Sequence, residues 1–78
     1  MKPQDITLST QLLEIVAHYK TTEPVFRSYD HQAGECVLCN TLFATIEEMA
    51  DKYGLDPHSV LEPVRDAASH PAQPEPQS

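Results

Sequence analysis

Between Thr45 and Pro57 the chain carries a full set of helix start and stop signals, and this stretch does most to limit what it can fold into. Thr45-Ile46-Glu47-Glu48 matches a capping box, in which the threonine hydroxyl and the glutamate three residues later satisfy each other's backbone N–H groups. Ile46, Met49, Ala50 and Tyr53 then recur at helical spacing as a buried stripe, and Gly54 is placed to end the helix in the left-handed conformation. Two residues later Asp56 caps a further helix with Pro57 at its first position, where a missing N–H costs nothing. Val60, Leu61 and Val64 face the core in that register, and Pro63 is expected to kink or shorten the helix by removing a backbone donor.

Helical periodicity also dominates upstream. Leu12, Leu13, Ile15, Val16 and Tyr19 share one face of a helix running from about Thr10 to Tyr19, with Ser9 as the expected N-cap. A shorter helix is predicted from about Thr22, with Glu23 and Pro24 in its first turn and Val25, Phe26 and Tyr29 turned inward. Asp30 to Glu35, polar and containing Gly34, reads as a loop. The expected architecture is all-α, a compact array of about four short helices without a sheet. One domain is expected over 1–68, because 78 residues bury only a thin core. Hydrophobic content of 40 % lies in the globular range, so the chain is expected to fold. The stretch 69–78 holds Pro71, Pro74 and Pro76 and no apolar side chain larger than Ala72, and reads as a disordered tail.

Twelve acids oppose five bases, for a formal charge of −7, and Lys2, Lys20, Arg27, Lys52 and Arg65 are scattered. Binding to phosphate backbones needs several neighbouring cations, so nucleic acid is excluded as a partner and anionic membranes are poor candidates. No apolar run approaches the roughly 20 residues needed to span a bilayer, and Met1-Lys2-Pro3-Gln4-Asp5 lacks the apolar stretch of a secretory signal. The expected compartment is the cytoplasm. There a pair of cysteines points to redox or metal chemistry rather than to a structural staple.

That pair is Cys36-Val37-Leu38-Cys39. Two intervening residues allow either a small disulfide ring or two thiolates on one metal. Redox use is the leading reading, metal or iron–sulfur ligation the second and a chemically inert buried pair the third. A zinc or iron–sulfur site generally takes four ligands; His31 could add a third to Cys36 and Cys39, and a dimer could pool two pairs around a shared zinc or cluster. No cofactor is expected in the leading reading. His31, with Asp30 in the same loop, is a candidate proton shuttle or ligand, whereas His18 and His58 read as solvated helix residues and His70 as part of the tail. With only Gly34 and Gly54 available there is no glycine-rich phosphate loop, and no hydrolase constellation is apparent. Phe26, Tyr29 and Phe43 are expected in the core, since so small a domain needs its aromatics for burial.

If Val37 to Leu42 forms a helical turn, Cys36 stands at its N-terminal edge as the attacking sulfur and Cys39 is the more buried, resolving partner. Glu35 and Asp30 oppose a thiolate there, with no lysine or arginine near in sequence to offset them, so the Cys36 thiol is expected close to the free value of about 8.5 and the pair reducing.

The ordered set Val25-Phe26 with Tyr29, Cys36-Val37-Leu38-Cys39, Thr45-Ile46-Glu47-Glu48-Met49-Ala50 and Gly54-Leu55-Asp56 resembles the small bacterial domain family named for a redox disulfide associated with the hybrid-cluster protein. The likeness spans roughly residues 6 to 68. It implies an all-helical fold and a disulfide-forming pair at Cys36 and Cys39. A weaker similarity, to the N-terminal domain of iron–sulfur-cluster repair proteins, implies nitrosative stress or iron chemistry. Together these readings favour a thiol–disulfide or redox-sensing module acting on a partner protein in a redox or iron–sulfur setting, or as a homodimer. An enzyme with its own small-molecule substrate is disfavoured, as is a purely structural interaction domain.

Overall fold

The computed structural model describes residues 1–69, and the stretch read as a tail lies outside them from His70 onward. Six helices follow in order: α1 (Leu12–His18), α2 (Glu23–Arg27), α3 (Asp30–Ala33), α4 (Val37–Thr41), α5 (Ile46–Tyr53) and α6 (Pro57–Ala68), with 3₁₀ turns at Pro3–Asp5 and Lys20–Thr22. The fold is all-α. Its four expected helices are present as α1, α2, α5 and α6, and of two further short ones α3 precedes the cysteine pair and α4 carries it.

α5 forms as its sequence dictates. The Thr45 hydroxyl accepts from Glu48 N–H at 3.1 Å, the Glu48 carboxylate accepts from Thr45 N–H at 3.0 Å, and Gly54 ends the helix at φ +69°. α1 starts differently from the expectation. Ser9 is not its cap; Gln11 occupies that position without a side-chain bond to the helix. The cap is tertiary: Leu12 N–H and Leu13 N–H donate to the carbonyls of Ala44 and Leu42 at 2.9 and 2.8 Å. The pairing is reciprocal, because Ile46 N–H and Glu47 N–H of α5 donate to Thr10 and Leu8 carbonyls. Two helix starts thus satisfy their unpaired donors with backbone from the opposite segment, around an isolated antiparallel bridge between Gln11 and Thr45.

Pro63 does not shorten α6, which continues to Ala68. The proline lies on the exposed side of the helix, so the carbonyl it leaves unbonded, that of exposed Ser59, can be solvated. The opposite face is held down: Val60, Leu61, Val64 and Ala68 are buried. Arg65 Nε donates to the Ile6 carbonyl at 2.9 Å and Thr21 Oγ1 to the Ala67 carbonyl at 2.8 Å, so α6 also anchors the N-terminal segment and the turn after α1.

The core is formed by these residues with Ile6, Leu12, Ile15, Phe26, Val37, Ile46, Met49 and Ala50. Phe26 is fully enclosed, and Val25, Tyr29 and Tyr53 pack against this core while half-buried. Leu13, expected on the buried stripe, is exposed. Phe43 is a larger departure, with 71 % of its surface accessible. It sits in the turn between α4 and α5, where the carbonyls of Leu42, Phe43 and Ala44 all accept bonds from residues 11–13. That backbone pairing fixes the direction of the turn and leaves the ring outside. None of the helices is long and apolar enough to cross a membrane among the described residues.

Candidate functional site

The stretch read as a loop before the cysteines is instead the single turn of α3. The backbone stays helical through Ser28 and Tyr29 after α2, and Gly34 stops it at φ +76°. The turn brings Asp30 back over the start of α4, where its Oδ1 accepts the Val37 N–H at 2.9 Å. One turn of polar sequence therefore caps the next helix from seven residues away, and Val37 is buried behind it.

Cys36 is the N-cap of α4, and Cys36 and Cys39 are joined as a disulfide with their Cα atoms 5.3 Å apart. The Cys36 Sγ accepts the Cys39 N–H at 3.1 Å, and Asn40 Nδ2 donates to the Cys36 carbonyl at 2.7 Å. Neither sulfur belongs to the core. The relative exposure is the reverse of that expected: Cys39 is exposed and Cys36 half-buried. Residues 37–41 wind so that Val37 and Thr41 face inward, which carries Cys39 to the outer side of the turn.

Cys36 and Cys39 line a groove of about 430 Å³ between α1, α2 and α4. Val16 and Ala17 form one wall, and Leu38 and Leu42 accompany the cysteines on the other. Lys20, Glu23 and Arg27 complete it, with Arg27 bonded to the Glu23 carboxylate at 3.2 Å. Two cations remote along the chain thus share the groove with the disulfide, which the sequence neighbourhood of the pair does not display. The two carboxylates expected to oppose a thiolate are also engaged. Asp30 holds the Val37 N–H, and Glu35 accepts the Tyr53 hydroxyl. Burial, that hydrogen bond and the charges of Glu35 and Asp30 push the Tyr53 phenol up to about 12, so it remains a neutral donor. Burial alone raises Tyr29.

His31 lies exposed on α3, and among the described residues no three His, Cys, Asp or Glu side chains gather as a metal site would require. His18 and His58 are exposed, and His70 falls outside the described residues. Sequence reasoning missed Lys20 and Arg27 because only the packing of α1 and α2 against α4 brings them to the sulfurs. Comparison with models of protein families, with curated proteins and with solved structures gives no match to this chain.

Proposed function

We propose that the chain is a thiol–disulfide exchange module whose Cys36–Cys39 pair alternates between disulfide and dithiol against the cysteines of a partner protein in the cytoplasm. The observation that carries this reading is the position of the bonded pair outside the core, with Cys39 exposed and both cysteines lining a groove. A staple serving only stability would gain little from such a place, since the ring it closes is very short. The resemblance to redox-disulfide domains supports the same assignment.

The exchange divides the roles of the sulfurs. A partner thiolate attacks Cys39 Sγ, a new S–S bond forms between them, and the Cys36–Cys39 bond breaks with its electron pair leaving on Cys36. The Cys39 N–H already directed at Cys36 Sγ favours that thiolate. A second partner thiolate then attacks the partner's own sulfur in the mixed disulfide and expels Cys39. The partner dithiol is oxidised by two electrons and the chain reduced by two. In the opposite direction the Cys36 thiolate releases the partner from Cys39.

Two measurements test this. The pair, equilibrated in buffers of graded dithiothreitol ratio, should interconvert completely and reversibly by mass. Alkylation of the reduced single-cysteine variants should reach half-maximal rate at lower pH for Cys36 (in Cys39→Ser) than for Cys39 (in Cys36→Ser). A pair that resists reduction in the folded protein would overturn the reading. So would anaerobically purified protein holding stoichiometric zinc or iron with thiols protected from alkylation. The reverse order of alkylation midpoints would exchange the two roles.

A further inference from the structure

We infer that the groove beside the disulfide is the docking site for an extended segment of the partner in which the reactive cysteine is flanked by apolar and acidic residues. This rests on the exchange reading above and specifies the partner it takes. The groove that the cysteines line also holds Val16, Leu38 and Leu42, so a segment lying in it meets apolar surface beside its thiol.

Charge supplies the second requirement. The chain has five cations and a net charge of −7, yet Lys20 and Arg27 both line this one groove. Glu23 offsets one of them through its bond to Arg27, and the groove still keeps a positive balance on an otherwise acidic molecule. Acidic side chains are drawn to these two cations more than to the rest of an acidic surface, which orients an acidic segment with its cysteine toward the pair.

Length supplies the third. A second hollow of about 630 Å³, reaching Pro24 and Ser28, shares Lys20, Glu23 and Arg27 with the first. The two hollows thus adjoin at the cations, and an extended chain at about 3.3 Å per residue can pass from one to the other. During docking the segment's thiol loses its proton to solvent, its thiolate bonds to Cys39 Sγ, and Cys36 leaves as the thiolate.

The test uses the full chain carrying Cys36→Ser, with Cys39 converted to its mixed disulfide with 5-thio-2-nitrobenzoate. Release of the coloured thiol is followed on adding short capped peptides with a central Leu-Cys-Leu flanked by glutamates or by lysines, with rates compared per thiolate. A molecule of charge −7 would by itself attract the lysine peptide, so the sign of the preference is diagnostic. The glutamate peptide is expected to react about tenfold faster at low salt, with a gap that narrows as salt is raised. The gap should close or reverse when Lys20→Gln and Arg27→Gln are added, since the remaining charge then favours the lysine peptide. With both cations present, a lysine preference or equal rates overturns the docking site, as does a gap that survives the double substitution. Glutathione reacting as fast as the glutamate peptide also overturns it, assigning the groove to small acidic thiols instead. Reduction of the unsubstituted protein by dithiothreitol, followed in parallel, separates the two claims. If it fails, the exchange reading falls and the docking site with it; if it succeeds without the charge preference, only the docking site is lost.

Discussion

Phe26 and Phe43 show how little an isolated residue type determines. Both are phenylalanines near short helices, yet one is fully enclosed and the other 71 % exposed. Phe26→Ala should cost about 3–5 kcal/mol, the usual loss for a buried aromatic cut to alanine. Phe43→Ala should change stability by no more than about 0.5 kcal/mol. Urea unfolding of both variants checks the pair, and comparable losses would place Phe43 in the core after all. Tyr53 gives a second test at this scale. Its folded-state phenol lies at about 12, above the ordinary value of 10.0, so the neutral form is favoured by folding. That contribution is fully present below pH 10 and is lost as pH rises from there through about 12. Tyr53→Phe should therefore flatten the alkaline fall in stability over that window. The raised Tyr29 contributes a remainder that persists in the variant. An unchanged alkaline profile would mean that the Tyr53–Glu35 bond does not govern this ionisation.

Among the elements, α5 and α1 represent two ways of starting a helix. α5 is specified locally, by Thr45 and Glu48, and was legible from four consecutive residues. α1 starts on carbonyls from the turn after α4, which no local pattern encodes. Thr45→Ala should cost about 1 kcal/mol, the usual value of a lost N-cap, because the Glu48 N–H then has no acceptor. Ser9→Ala should be nearly neutral, since Ser9 caps nothing. Thermal melts distinguish them, as about 1 kcal/mol corresponds to roughly 4–8 °C in a domain of this size. Equal shifts would contradict the cap assignment. α3 makes a related point: its residues are polar, so no hydrophobic period announces it. It exists as the continuation of α2 up to Gly34, and its Asp30 serves α4 rather than its own turn.

For the molecule as a whole, the core and the disulfide are separate. The buried cluster draws on α1, α2, α4, α5 and α6, and neither cysteine contributes to it. Reducing the pair should therefore leave the helical circular dichroism intact and lower stability by about 2 kcal/mol or less, as expected for so short a ring. The Cys36→Ser, Cys39→Ser double variant should behave likewise. Loss of helix on reduction would show that the bond maintains the fold. This separation suits the proposed exchange, which requires the fold to be the same with the pair bonded or reduced.

The sequence by itself determined the helical class, the start and end of α5, the start of α6, the burial of Phe26 and the identity of the cysteine pair. Each is a local matter: a cap, a period of 3.6 residues or a spacing of three positions states it within one or two turns of chain. Only the tertiary structure decided that Phe43 faces solvent, that α1 is capped by the carbonyls of Leu42 and Ala44, and that Pro63 sits harmlessly on an outer face. It also decided which charges accompany the sulfurs. Read along the chain, Asp30 and Glu35 are the neighbours of Cys36. In three dimensions both are held by hydrogen bonds, to Val37 and Tyr53, while Lys20 and Arg27 share the groove with the pair. Electrostatic surroundings depend on distances through space, and in a fold of short helices those distances are fixed by how the helices pack.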